Sequence, residues 1–306
     1  MSGSTRNSTT LLTHAARLTR LSSLHTYVVI RCLVDRDLVA DGYRAYAYFR
    51  WLDDVLDKQL SDRAARMAMV AEQAELARRA FAGDSAQPAC DEERLLLDLV
   101  RRRRPDHPGL ASYIGCMMQV MQFDAERRGR LVSAAELTDY TRRLSAAVMD
   151  GLTYFIGNHD HYPAAAARYK AVAAAHISHM LRDAAEDEAS GYYNIPRELL
   201  ESHHLSPADM RAAPYRAWVR GRVDLADRLF REGRQYIHSL SNPRARLAGL
   251  AYCANFESVL RRVRRNDYVL VDLRPSLKPI SRASPRRTPY APAVHSRRRA
   301  SPVAHH

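Results

Sequence analysis

Two acidic stretches constrain this chain more than any other feature: "RWLDDVLD", residues 50–57, and "LRDAAEDE", residues 181–188. Each spaces carboxylates four residues apart, Asp53 with Asp57 and Asp183 with Asp187, directly after an apolar run, "YRAYAYFRWL" or "YKAVAAAHISHML". On a helix that turns about 100° per residue, each pair sits about 40° apart on adjacent turns of one face. Like charges so placed repel, and the runs before them are interior in character. Interior carboxylates need cations. The pattern recurs 130 residues along the chain, so one cationic assembly held between two facing helices answers both.

The rest of the sequence supplies helices to build around them. With 12 glycines in 306 residues and apolar side chains repeating at three and four, the spacing predicts an all-α fold. Helices are expected over 11–31, 37–59, 61–81, 91–102, 109–127, 134–157, 163–190, 207–240 and 244–267. Loops fall at "AGDSAQPAC", "RRRRPDHPG", "GNHDHYP", "YYNIP" and "SNP", where Pro, Gly or Asn interrupts the pattern. No apolar run reaches the roughly 18–20 residues that span a bilayer, so any membrane contact would be peripheral.

A net charge of +13 invites a nucleic-acid reading, but its distribution argues otherwise. From Arg274 to His306 there are seven Arg, one Lys, no acidic residue and six of the 14 prolines, leaving about +5 on the rest of the chain. Such a segment buries too little apolar surface to offset its ordering entropy. It is expected to be a disordered, solubilising tail over 273–306, behind a flexible 1–12 and a helical domain over 13–272. The tail has no aromatic except Tyr290, and without a recognition motif no specific nucleic-acid partner is expected. The Ser-, Thr- and Arg-rich start has a composition shared with transit peptides, though "LLTHAARLTRLSSL" already carries helical spacing. Cys32, Cys90, Cys116 and Cys253 are scattered, with no CxxC pair, which suits reduced thiols in a cytoplasmic protein.

Paired carboxylates present oxygen ligands to a hard divalent ion. Mg²⁺ takes one or two carboxylates, keeps several waters and bridges to substrate phosphates. Arg50, one turn before Asp53, and Arg182, beside Asp183, are placed to meet the remaining phosphate charge. A diphosphate between two acidic helices would remove the repulsion within each pair.

"AYAYFRWLDDVLD" and "MLRDAAEDEASGYYNIPRELL" resemble the two aspartate-rich motifs of the squalene and phytoene synthases. "MQVMQFDAERRG" is similar to that family's middle helix and "CANFESVLRRVRRNDY" to its closing helix, so the likeness spans roughly residues 20–270. The resemblance implies an isoprenoid-synthase-type helical bundle with a central cavity. It also implies a Mg²⁺-dependent condensation of two C15 or C20 allylic prenyl diphosphates, head to head, with diphosphate release. In the family, ionisation of one diphosphate gives an allylic cation that the second molecule attacks, forming a cyclopropyl intermediate. Some members then use NADPH, and the resemblance leaves its use here open.

By the resemblance, Asp53, Asp57, Asp183 and Asp187 fall on metal-binding positions. Arg50, Arg182 and Arg264 fall near diphosphate, and Tyr27 near an aromatic at the entrance. Met117, Met118, Met121, Phe123, Tyr154 and Phe155 are candidates to line the cavity, and each is equally ordinary core material. The chain also departs from the family. In "DYTRRLSAAVMDG", Tyr140 matches the first of two tyrosines, but Arg142 occupies the second and Met149 replaces a glycine. His176 and His179 stand where Gln and Asn are usual. Their wheel positions fall within about 80° of Asp183 and Asp187, so both face the same site: His179 is expected as a metal ligand, with donation to diphosphate or proton shuttling left open, and His176 as catalytic, while the resemblance puts Tyr140 and Arg142 at catalytic positions. The departures leave two other functions open: a terpene synthase that ionises and cyclises or quenches a single prenyl diphosphate, and a non-catalytic assembly or lipid-binding factor.

Overall fold

The computed structural model describes residues 2–157, 159–160, 162–271 and 273, with backbone alone over 2–8. Eleven α-helices occur among them: α1 (Ser2–Ser22), α2 (Leu24–Leu33), α3 (Val39–Lys58), α4 (Arg63–Ala82), α5 (Asp91–Arg101), α6 (Gly109–Arg127), α7 (Ala134–Phe155), α8 (Lys170–Ala189), α9 (Arg197–His203), α10 (Ala213–Ser239) and α11 (Pro243–Arg265). No strand is present among the described residues; one isolated parallel bridge joins Val132 to Pro196. The fold is the expected all-α bundle. No helix among these residues is long and apolar enough to cross a membrane, and all four cysteines are free thiols.

Helix boundaries follow local chemistry. Ser133 and Glu136 form a reciprocal capping box at the start of α7, satisfying two amides that the first turn leaves open. Asp62 accepts from the Ala65 amide to begin α4, and Gly83 ends it in the left-handed region at φ 81°. The expected single helix over 11–31 is two. Ser23 breaks it by turning extended and capping α2 through Thr26, the side-chain competition that Ser offers a helix backbone. The stretch expected as a flexible start is helical backbone from Ser2; Leu11, Ala15 and Thr19, four apart, are buried on one side of α1, which packs on α3. The basic segment after Leu273 lies outside the described residues.

At the centre α8 packs against α7, α10 and α11. Its Ala171, Ala174, Ala175, Ile177 and Leu181 are buried with Val219, Val223, Ala226 and Phe230 of α10. Small residues on α8 let α10 come close: a Cβ added at Gly233 would lie 2.5 Å from the Ala171 backbone nitrogen. Alanine and glycine thus set the distance between these helices, while each large side chain buried beside them contributes about 1.5–3 kcal/mol.

A cavity of about 50 Å³ lies between α7, α8, α10 and α11, bordered by Met149, Val172, Tyr236 and Tyr252 among others. None of the six side chains expected to line a cavity borders it. Met118 faces a different space, a surface groove of about 380 Å³ between α4 and α6. Tyr154 and Phe155 are core residues packed on one another edge to face. Met149, read from the sequence as the residue replacing a glycine, is the one that reaches the central space.

Candidate active site

The acidic turns of α3 and α8 meet around residues of α6 and α7. Arg127 of α6 is the hub. Its Nε donates to Asp124 Oδ1 at 2.8 Å and its Nη1 to Asn194 Oδ1 at 2.8 Å. Asn194 Nδ2 in turn donates to Asp187 Oδ2 at 2.7 Å. Tyr140 of α7 donates its hydroxyl to the other Asp124 oxygen at 2.9 Å, and Tyr192 donates to Asp57 at 2.7 Å. The guanidinium of Arg127 also lies 5.0–5.5 Å from the ring centres of Phe123, Tyr140 and Tyr192, a desolvated setting in which cation–π attraction is strong.

The segment after α8 makes these links possible. Gly191 adopts φ 83°, a conformation that side chains resist, and its carbonyl accepts from Gly129 at 2.7 Å. The reversal returns Tyr192 to Asp57 and Asn194 to Asp187. Arg128 braces the same corner, donating to the carbonyls of Asp57 and Ser190 at 3.1 and 3.3 Å.

Charge within the site is under tension. Burial first, and Asp57 second, push the Asp53 carboxyl up to about 7 against the pull of Arg50. Burial and then Asp183 push Asp187 up to about 6. Asp124 is also raised by burial, opposed chiefly by Arg127, with Asp57 adding to the rise. Asp53 keeps 38% of its side-chain surface open, so a cation can reach a carboxylate that the protein alone does not neutralise.

Among the described residues no three His, Cys, Asp or Glu side chains converge to form a protein-only metal cage. Pairs of carboxylates on adjacent turns, one of them partly exposed, fit a hard ion that shares its coordination with water and phosphate. The donor set is all oxygen apart from His179, whose Nε2 is 3.3 Å from Asp183 Oδ2 and whose side chain is 51% exposed. The residues therefore fit Mg²⁺ held through Asp53, Asp57, Asp183 and Asp187.

The expected basic residues separate into two groups. Arg50 pairs with Asp53 at 3.1 Å and Asp54 at 2.6 Å, and Arg182 holds Asp183 through Nε at 2.8 Å and Nη2 at 2.6 Å. Both lie at the acidic turns. Arg264 instead pairs with Asp227 of α10. Tyr27 stacks on Tyr43 of α3 at 5.5 Å, ten residues along that helix from Asp53.

Of the other expected catalytic side chains, one turns outward and one packs behind Tyr140. Arg142 is 69% exposed and tied to Asp139; two residues from Tyr140 it lies about 200° around α7, on the outward face. His176 is buried, its ring edge to face with Tyr140 at 4.8 Å and its Nδ1 3.0 Å from the Thr141 hydroxyl. Burial depresses its pKa to about 3, so the imidazole is neutral at ordinary pH. Asp124, Arg127, Tyr192 and Asn194 were not among the expected site residues. A carboxylate and an arginine three apart at the end of the apolar run "CMMQVMQF" were the available signal.

The sequence profile of the squalene/phytoene synthases matches residues 20–284. Among solved structures, squalene synthase HpnC from Alicyclobacillus acidocaldarius superposes with a TM-score of 0.63 at 24% identity, covering 84% of this chain and 94% of that one. A dehydrosqualene synthase in complex with ligand gives a TM-score of 0.67 at 16% identity, covering 89% and 92%. At these identities the two structures establish a shared fold. No curated protein matches the sequence. On a profile match that runs through both aspartate-rich helices and most of the chain, this protein belongs to the squalene/phytoene synthase family.

Proposed function

We propose that the protein is a Mg²⁺-dependent prenyltransferase that joins two C15 or C20 allylic prenyl diphosphates head to head and releases diphosphate. The observation that carries this reading is a pair of hydrogen-bonded links, Asp57 to Tyr192 and Asp187 through Asn194 and Arg127 to Asp124 and Tyr140, which the Arg127 guanidinium joins by lying 5.1 Å from the Tyr192 ring centre.

Bound Mg²⁺ would supply charge neutralisation to a departing diphosphate, whose negative charge grows in the transition state. Arg50 and Arg182 flank the same space and orient the diphosphate by charge-assisted hydrogen bonds. Tyr140 holds its proton toward Asp124, with burial and that carboxylate both raising its pKa, so it acts as a neutral polar wall. His176 positions Tyr140 from behind. Along α8, Val172 precedes Asp183 by eleven residues, about 17 Å at 1.5 Å per residue. Val172 borders the small cavity, so a prenyl tail that ran back along α8 from the acidic turn would reach it.

A second reading rests on the departures from the family pattern, Arg142 at the second tyrosine position and Met149 in place of a glycine. It is a synthase that ionises one prenyl diphosphate and cyclises or quenches the cation. Incubation with Mg²⁺ and geranyl, farnesyl or geranylgeranyl diphosphate, with and without NADPH, separates the two. A C30 or C40 product with diphosphate release supports condensation, a C10, C15 or C20 hydrocarbon or alcohol supports the lyase, and no release from any substrate rejects both. NADPH use is read from whether it changes the product.

A further inference from the structure

The described residues expose four large aliphatic side chains, and three of them share one corner: Leu21 (56% exposed), Leu24 (62%) and Val28 (48%). The fourth, Leu247 (59% exposed), is near the start of α11, the helix whose Arg244 donates to the Leu33 carbonyl at the end of α2. On α2, Leu24, Val28 and Arg31 fall on one helical stripe; on the end of α1, Arg17, Arg20 and Leu21 do the same. All six are exposed. The chain contains no acidic residue before Asp35. The two acidic residues that follow are already neutralised, Asp35 by Arg244 and Asp37 by Arg104.

Aliphatic side chains interleaved with arginine on exposed helical faces, without a carboxylate among them, match the interface of an anionic bilayer. The apolar tips enter the acyl boundary and the guanidinium groups meet lipid phosphate. A second copy of the chain fits less well. A two-fold contact sets a patch against itself, which here brings arginines against arginines. We propose that the α1–α2 corner is a docking surface for an anionic membrane, with Leu21, Leu24 and Val28 inserting and Arg17, Arg20 and Arg31 holding lipid phosphate. Docking there presents to the bilayer the helix that carries Tyr27, stacked on the same α3 that carries Asp53.

Vesicle flotation tests this without reference to the reaction. The full chain is expected to float with vesicles containing phosphatidylglycerol and not with phosphatidylcholine alone. Replacing Leu21, Leu24 and Val28 together by Gln should abolish flotation. Each of Arg17→Gln, Arg20→Gln and Arg31→Gln should weaken it by about fivefold, with the effect shrinking in high salt. The two sets of substitutions are independent, so misfolding of one leaves the other as the test. Deleting residues 274–306 should preserve most of the binding. The proposal is overturned if the full chain ignores anionic vesicles, if the patch variants float as the parent does, or if the tail deletion alone removes binding. It is also overturned if the apolar variant turns a dimer into a monomer while flotation persists, which would assign the corner to a second copy.

Discussion

Asp53, proposed as a metal ligand, illustrates how such a residue works against the fold that carries it. Its carboxyl is raised from 3.8 to about 7 by burial and by Asp57, so the folded state binds this proton more tightly than the unfolded chain does. Without a bound cation the associated stability is present below pH 4 and is lost as pH rises through about 7. Asp53→Asn is therefore expected to raise the melting temperature at pH 8 in the presence of a chelator, to change it little at pH 4, and to abolish Mg²⁺-dependent turnover. A lower melting temperature at pH 8 would contradict the assigned tension. Arg127 is the opposite case. Its side chain is 7% exposed and Asp124's 21%, so removing the cation strands a nearly buried carboxylate. Arg127→Met should cost about 3–5 kcal/mol in urea unfolding, and a loss under 1 kcal/mol would show that the network contributes little to folding.

Between helices, the positions of the acidic turns depend on residues with almost no side chain. Gly233→Ala drives a Cβ into the Ala171 backbone at 2.5 Å. Overpacking of this kind costs about 1–3 kcal/mol and would displace α8 with Asp183 and Asp187 on it. A lower melting temperature together with a raised Mg²⁺ requirement is expected; a destabilised variant with unchanged Mg²⁺ dependence would separate packing from the site. Met149 is the converse, a large side chain at the cavity border. Met149→Ala should increase the ratio of condensed to single-substrate product in mass spectrometry, and an unchanged ratio would remove cavity width from the explanation. Most helices were legible because their apolar residues repeat at three and four. α6 is found over the expected 109–127, and α3 and α7 differ only at their ends. α9 was not foreseen, because seven residues between Pro196 and His204 carry too little periodicity to separate from a loop. The acidic pairs were legible because spacing alone puts them on one face. Asn194 and Tyr192 were not, since their links to Asp187 and Asp57 depend on the backbone reversal at Gly191. Arg142 was misplaced because a likeness of motif gives a position in the sequence, whereas the helical wheel turns that position outward.

For the molecule as a whole, the site is assembled from segments 130 residues apart in sequence, and ligand binding must stabilise the arrangement that holds them together. In the proposed function the carboxylates repel when no ligand is bound, so Mg²⁺ or diphosphate alone would leave part of the charge unmatched, while the two together would satisfy both the acidic turns and Arg50 and Arg182. Stabilisation by a ligand that binds only the folded chain is about 2.7 kcal/mol at one hundred times its dissociation constant. For a chain of this size that corresponds to about 4 °C in melting temperature. Mg²⁺ with inorganic pyrophosphate is therefore expected to raise the melting temperature by more than the sum of the two added separately. Asp53→Asn and Asp183→Asn, on different helices, should each remove the synergy, because either loss opens one side of the same site. Synergy that survives in one variant would mean that the two acidic helices bind independently. Additive shifts in the parent protein would mean that metal and diphosphate do not share the space between α3 and α8.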